Sequence, residues 1–172
     1  MTKDALQTFT DAVSTSWGPL TSELVASTRA HVEALLAAPP REAWLEALHE
    51  DAPESRELYR DPEHGFLLLA HTEPTGLYRP PHDHGRGWVI YAVERGEQEM
   101  STYRRVHDAR GATVLVRRET FVLRAGDVRV FLPGDIHDTR CLRGPLTLFR
   151  FTSRDFKRED VTRYPAPRSV EA

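Results

Sequence analysis

The stretch GLYRPPHDHGRGWVIYAVERG, residues 76 to 96, decides how this chain is read. It sets His82 and His84 one residue apart, between a proline pair and a glycine-containing bend, in a segment otherwise rich in strand formers. Side chains of an extended backbone alternate, so positions i and i+2 project to one face. Two neutral imidazoles buried side by side would each need hydrogen-bond partners, whereas a single cation uses both as ligands and accounts for their proximity. A third ligand must come from another strand. GDVRVFLPGDIHDTRC, residues 126 to 141, offers His137 directly after the Pro133-Gly134 turn.

Working outward, the segments FLLLAH, GWVIYAVE, EQEMSTYRRV, TVLVRR, TFVLRAG, VRVFLPG and LTLFRFT follow one another from Phe66 onward, separated by Gly, Pro and Asp turns. Many strands at short intervals without intervening helices predict a sandwich, jelly roll or barrel. Before residue 50 the period is helical instead. Leu6, Phe9 and Val13 mark one helix, and Leu20, Leu24, Val32, Leu35 and Leu36 a longer one. Pro39 and Pro40 end the second helix and open a third around Trp44, Leu45 and Leu48. The expected organisation is a helical extension over residues 1–50 packed on a barrel over residues 51–156. The charged, Pro-containing segment 157–172 is expected to fray.

A chain of 172 residues is long enough for one domain with a sizeable core. The net charge of −3 and the absence of a basic block argue against an electrostatic nucleic-acid binder. A single cysteine, Cys141, excludes an internal disulfide framework and any Cys-rich zinc site. With no apolar run of membrane-spanning length and no signal-like N-terminus, the protein reads as cytoplasmic. The expected partners are small molecules, with the chain a monomer or homodimer.

The glycines around the histidines carry a resemblance. Gly76, His82, His84 and Gly96 fall in the register of the first motif of the cupin superfamily, with Val89 in the slot usually held by Glu. Gly126, Gly134 and His137 match the second motif, with Leu132 in its proline slot beside Pro133 and Cys141 in its asparagine slot. The resemblance spans residues 64–152 and implies a mainly β fold, a double-stranded β-helix with a metal inside one end of the barrel. Because Val89 cannot coordinate, it implies three histidine ligands, open coordination positions and, foremost, Fe(II), with Mn, Ni or Zn as alternatives.

Among cupins the chain most resembles the thiol dioxygenases, such as cysteine dioxygenase and mercaptopropionate dioxygenase. They share the HDH segment, the PG-x-x-H second motif and helices before the barrel. That likeness implies a role for Arg60 in holding a substrate carboxylate. It also exposes departures. The slots of the family's Cys-Tyr cross-link fall on Val89 and Phe151, and the His and Tyr of its proton relay fall on Phe149 and Phe151. The two rings are expected to point into the barrel beside the metal and, with Arg60, Tyr78 and Tyr91, line the substrate site. Proton handling would then pass to Tyr78, Tyr91 or Arg60, and cysteine would be a poor substrate. Asp83 and Asp138 flank ligands and by alternation point away from the metal, where they can support it. The functional expectation is a mononuclear non-haem Fe(II) dioxygenase acting on a small anionic thiol or related molecule. The alternatives are a dicarbonyl-cleaving or isomerase cupin and a non-catalytic, metal-dependent ligand-binding cupin.

Overall fold

The computed structural model describes residues 3–165. Local chemistry sets the helix boundaries. The Asp4 carboxylate accepts a hydrogen bond from the Gln7 amide at 2.7 Å and starts α1, Ala5–Ser16. The Thr21 hydroxyl accepts from the Leu24 amide at 3.2 Å and starts α2, Ser22–Leu36. That cap leaves Leu20, read from the sequence as helical, outside the helix and exposed. The third helix, α3, runs over Ala43–Asp51. Among the described residues no helix is long and apolar enough to cross a membrane.

The strands are β1 (Arg56–Arg60), β2 (Leu67–Glu73), β3 (Tyr78–His82), β4 (Val89–His107), β5 (Thr113–Arg124), β6 (Val128–Phe131) and β7 (Ile136–Thr152). All their pairings are antiparallel. Several segments that read as separate strands are continuous: GWVIYAVE and EQEMSTYRRV merge in β4, and TVLVRR and TFVLRAG in β5. The long strands β4 and β7 each serve both halves of the barrel. Val89–Ala92 of β4 lies between β6 and the last residues of β7, while the later part of β4 lies between β5 and the first residues of β7. Strand β2 flanks the end of β7 and β3 flanks its beginning. The result is a double-stranded β-helix with helices at its N-terminal side.

The bend in β4 falls at register shifts between Val93 and Gln98. Gly96 sits there with φ 89°, and a Cβ at this position would stand 2.5 Å from the Arg143 carbonyl oxygen on β7. Only glycine fits the corner.

Alternation assigns the faces. Val89, Tyr91, Val93, Met100, Phe131, Cys141, Leu146 and Leu148 cluster inside the barrel. Trp88, Ile90, Ala92, Phe149 and Phe151 cluster on the other face, against Phe9, Val13, Leu24, Val32, Leu35, Leu45 and Leu48 of the helices. This corrects the expectation for Phe149 and Phe151. The Phe151 ring centroid lies 6.4 Å from Phe9 and 6.0 Å from Trp17, and that of Phe149 lies 5.8 Å from Trp44. The physical reason is the helical layer, which dries the outer face of the sheet, so apolar residues occupy both faces of LTLFRFT and hydrophobicity does not distinguish inside from outside. The inward side chains of that segment are Leu146, Leu148, Arg150 and Thr152.

Phe151 is therefore a packing residue. Phe151→Ala is expected to destabilise the protein by about 3 to 5 kcal/mol, measured by urea unfolding, through cavity formation between helices and sheet. The metal affinity of the folded fraction should be unchanged.

Candidate metal centre

The two prolines and the edge position of β3 bring the HDH segment to the barrel mouth. His82 ends β3 directly opposite His137 of β7, so one cross-strand pair already sets two imidazoles side by side. His84 lies two residues beyond, where the chain turns through a hydrogen bond from the Gly87 amide to the His84 carbonyl at 3.0 Å. Ring centroids are 5.0 Å apart for His82 and His84, 4.6 Å for His82 and His137, and 5.2 Å for His84 and His137. One potential ligand nitrogen from each ring lies within 4.8 Å of the others, and no Asp, Glu or Cys joins the group among the described residues. The sequence reading named these three residues, and the fold brings them together.

Their hydrogen bonding fits a cation. The Nδ1 of His82 is 2.8 Å from the Pro80 carbonyl, which makes that nitrogen the donor and leaves Nε2 with a free lone pair. Nε2 of His84 and Nε2 of His137 lie 3.4 and 3.3 Å from the single hydroxyl of Tyr91. One O–H can donate to only one of them at a time. The Nδ1 atoms of His84 and His137 are buried without a partner. A bound divalent ion would use the lone pairs that the protein leaves unsatisfied, so the donor set suits a metal ion.

Burial is the first cause holding all three imidazoles neutral. It lowers His82 and, with the repulsion that a protonated His82 would add, takes His84 down to about 3. His137 is pushed well below the usual imidazole range by burial and by His82 and His84. The charge of Arg150 acts in the same direction on all three. Phe131 stacks on His137 at 3.9 Å between centroids and fixes that ring from the barrel interior.

Arg150 is the residue that sequence reasoning missed. It points inward from β7 toward Tyr91, its Nε is buried without a partner, and it lines both the main cleft and a smaller chamber behind His82. Arg60, the residue expected to hold a carboxylate, lies on the rim of the cleft with its guanidinium already engaged. It donates to Glu57 at 2.7 and 3.0 Å and to Asp155 at 3.1 Å, so its charge is offset. Tyr78 lines the cleft wall but gives its hydroxyl to Asp138 at 3.0 Å. Asp138 also accepts from Tyr103 at 2.6 Å and from the Ser101 amide at 3.0 Å, tying β3, β4 and β7 together beside His137. The cleft holds about 1300 Å³ and opens to solvent past Phe156, Arg163 and Tyr164.

The chamber holds about 30 Å³, room for one water, and is walled by His71, Glu73, Gln98 and Arg150 among others. Glu73 is nearly fully buried and accepts from Arg79 at 3.1 Å and Gln98 at 3.3 Å.

No family model matches the sequence, and no curated protein matches it. Solved structures do. KdgF from Halomonas sp. is 19% identical, with 60% of this chain and 82% of that one covered and a TM-score of 0.46. A cupin superfamily protein from Desulfitobacterium hafniense is 16% identical, with 59% and 76% covered and a TM-score of 0.43. Oxalate decarboxylase from Lactobacillus farciminis, solved as a formate complex, is 21% identical, with 63% and 30% covered and a TM-score of 0.45.

Two outcomes are expected here. Replacing His137 with Ala should lower the affinity for a divalent metal by more than about 100-fold in chelator competition, a larger loss than removal of a supporting residue causes. The second concerns His71, whose pKa burial and the Arg150 charge lower to about 4. An unfolded chain takes up this proton near pH 6.5 and the folded one does not, so stability present above pH 6.5 is withdrawn as pH falls toward 4. The loss approaches about 1.4 kcal/mol per pH unit for this one residue, and His71→Gln should flatten the slope of unfolding free energy against pH by that share.

Proposed function

We propose that the protein is a cupin-type metal enzyme, a mononuclear non-haem Fe(II) dioxygenase acting on a small anionic thiol or related molecule. The observation that carries this reading is a group of three neutral histidines without a carboxylate, set beside the Tyr91 hydroxyl and the Arg150 guanidinium. Iron held by His82, His84 and His137 would supply neighbouring positions for a thiolate or oxygen donor of the substrate and for dioxygen.

The chain's own residues supply the rest. Three neutral donors cancel none of a divalent charge, so the site favours an anion. Arg150, with no carboxylate partner among the described residues, can bind a carboxylate inside the barrel, the role that the resemblance had suggested for Arg60. Tyr91 Oη stands within 3.4 Å of two ring nitrogens and can donate a proton to, or accept one from, a molecule bound at the histidines. Phe131, Leu148 and Val89 form an apolar floor that limits water behind the histidines. With Phe149 and Phe151 turned outward, the ground for regarding cysteine as a poor substrate is gone, and a carboxylated thiol fits Arg150.

The test is to load the protein with Fe(II) anaerobically, offer a panel of small thiols and β-diketones, and admit isotopically labelled dioxygen. Oxygen uptake with both labelled atoms in the sulfinate formed from an anionic thiol is the expected result. Arg150→Met should then raise KM for that substrate about 10- to 100-fold, the worth of a charge-assisted hydrogen bond. Cleavage of a diketone alone, or tight ligand binding without oxygen uptake, would replace this reading with one of the two alternatives.

A further inference from the structure

The segment after β7 was expected to fray, yet through residue 165 it lies across the metal-binding loop; residues 166–172, covered by the same expectation, lie outside the described residues. Backbone pairing, side-chain hydrogen bonds and ring stacking hold it there. The Asp83 amide donates to the Thr162 carbonyl at 3.0 Å and the Tyr164 amide to the Pro81 carbonyl at 2.8 Å, on either side of a bridge between His82 and Arg163. The edge of β3 that β7 leaves free is thus paired by the returning chain. The Asp83 carboxylate accepts from the Gly85 amide at 2.9 Å, the Thr162 amide at 3.3 Å and the Tyr164 hydroxyl at 2.8 Å. Phe156 stacks on the His84 imidazole at 4.5 Å and 14°. Finally, Gly85 and Gly87 are small because the segment lies so close: a Cβ at Gly85 would stand 2.9 Å from the Asp160 carbonyl oxygen, and one at Gly87 would run into the Phe156 ring.

We infer that residues 156–164 form a strap that positions His82 and His84 for metal binding, with Asp83 as the positioning residue that fastens it. The inference rests on the three-histidine reading of the site. Without the strap, His82 is held by β7 alone and His84 by a single turn, and the two rings no longer have a fixed separation. Ordering them at the moment of metal binding then subtracts from affinity. The strap also supplies Phe156, Val161, Arg163 and Tyr164 to the cleft wall, so any molecule reaching the histidines passes it.

The experiment uses the full chain and Co(II), whose visible spectrum reports ligand geometry without turnover. Asp83→Ala and Tyr164→Phe should lower Co(II) affinity in chelator competition by about 10- to 100-fold and about 10-fold respectively, the range for residues that support metal ligands. The Co(II) bands should shift, and hydrogen exchange at the Asp83 and Tyr164 amides should quicken. Asp83→Asn, which keeps the acceptor toward Gly85 and Thr162, should restore part of the affinity. Unchanged affinity and spectrum in variants whose two amides have lost protection would overturn the inference. If the unmodified protein takes up no Co(II), the metal reading fails separately. The fastening of the strap is then judged by exchange alone, upheld by slow exchange that Asp83→Ala abolishes and overturned by rapid exchange in the unmodified protein.

Discussion

The rest of the molecule depends on two long strands turning a corner together. Strands β4 and β7 pass from one half of the barrel to the other side by side, and the turn works only because Gly96 lets the backbone of β4 approach the Arg143 carbonyl more closely than any Cβ permits. Once that corner is made, the beginning of β7 must lie beside β3, and His137 must face His82. The imidazole pair follows from strand pairing rather than from any attraction between the histidines, whose burial side by side would otherwise oppose it.

The same corner explains what was legible in the sequence. His82, His84 and His137 could be read because a two-residue spacing and a turn-then-histidine pattern are local features, and the glycines around them mark backbone requirements that no other residue meets. The strand content of the second half and the helical content of the first were legible for the same reason. The face of LTLFRFT was not. A strand covered by helices on one side and enclosing a core on the other is apolar on both, so Phe149 and Phe151 gave no sign of which way they pointed. The one signal was Arg150, a charge in an otherwise apolar run that makes sense only if it faces a polar interior.

Arg60 and the final segment illustrate the opposite difficulty. Arginine is the dominant cation of this chain, and nothing in LYRD tells that Glu57 and Asp155 enclose the Arg60 side chain, since Asp155 lies 95 residues away. A charged, proline-containing stretch looks solvated, yet its backbone can still pair with a free strand edge. The Asp83 carboxylate turns to Gly85, Thr162 and Tyr164, and the last two are distant in sequence and could not be foreseen.

The seam between helices and barrel has an optical consequence. All three tryptophans of the chain belong to it: Trp17 is stacked on Trp88 at 6.1 Å and 12°, and Trp44 packs on Phe149. None of the three lines the cleft. Intrinsic fluorescence therefore reports whether the helical layer is seated on the sheet, with the Trp17–Trp88 pair close enough to exchange excitation energy. An emission change on adding a ligand would mean that the disturbance had travelled through the barrel wall, from the inner face of the sheet to its outer one.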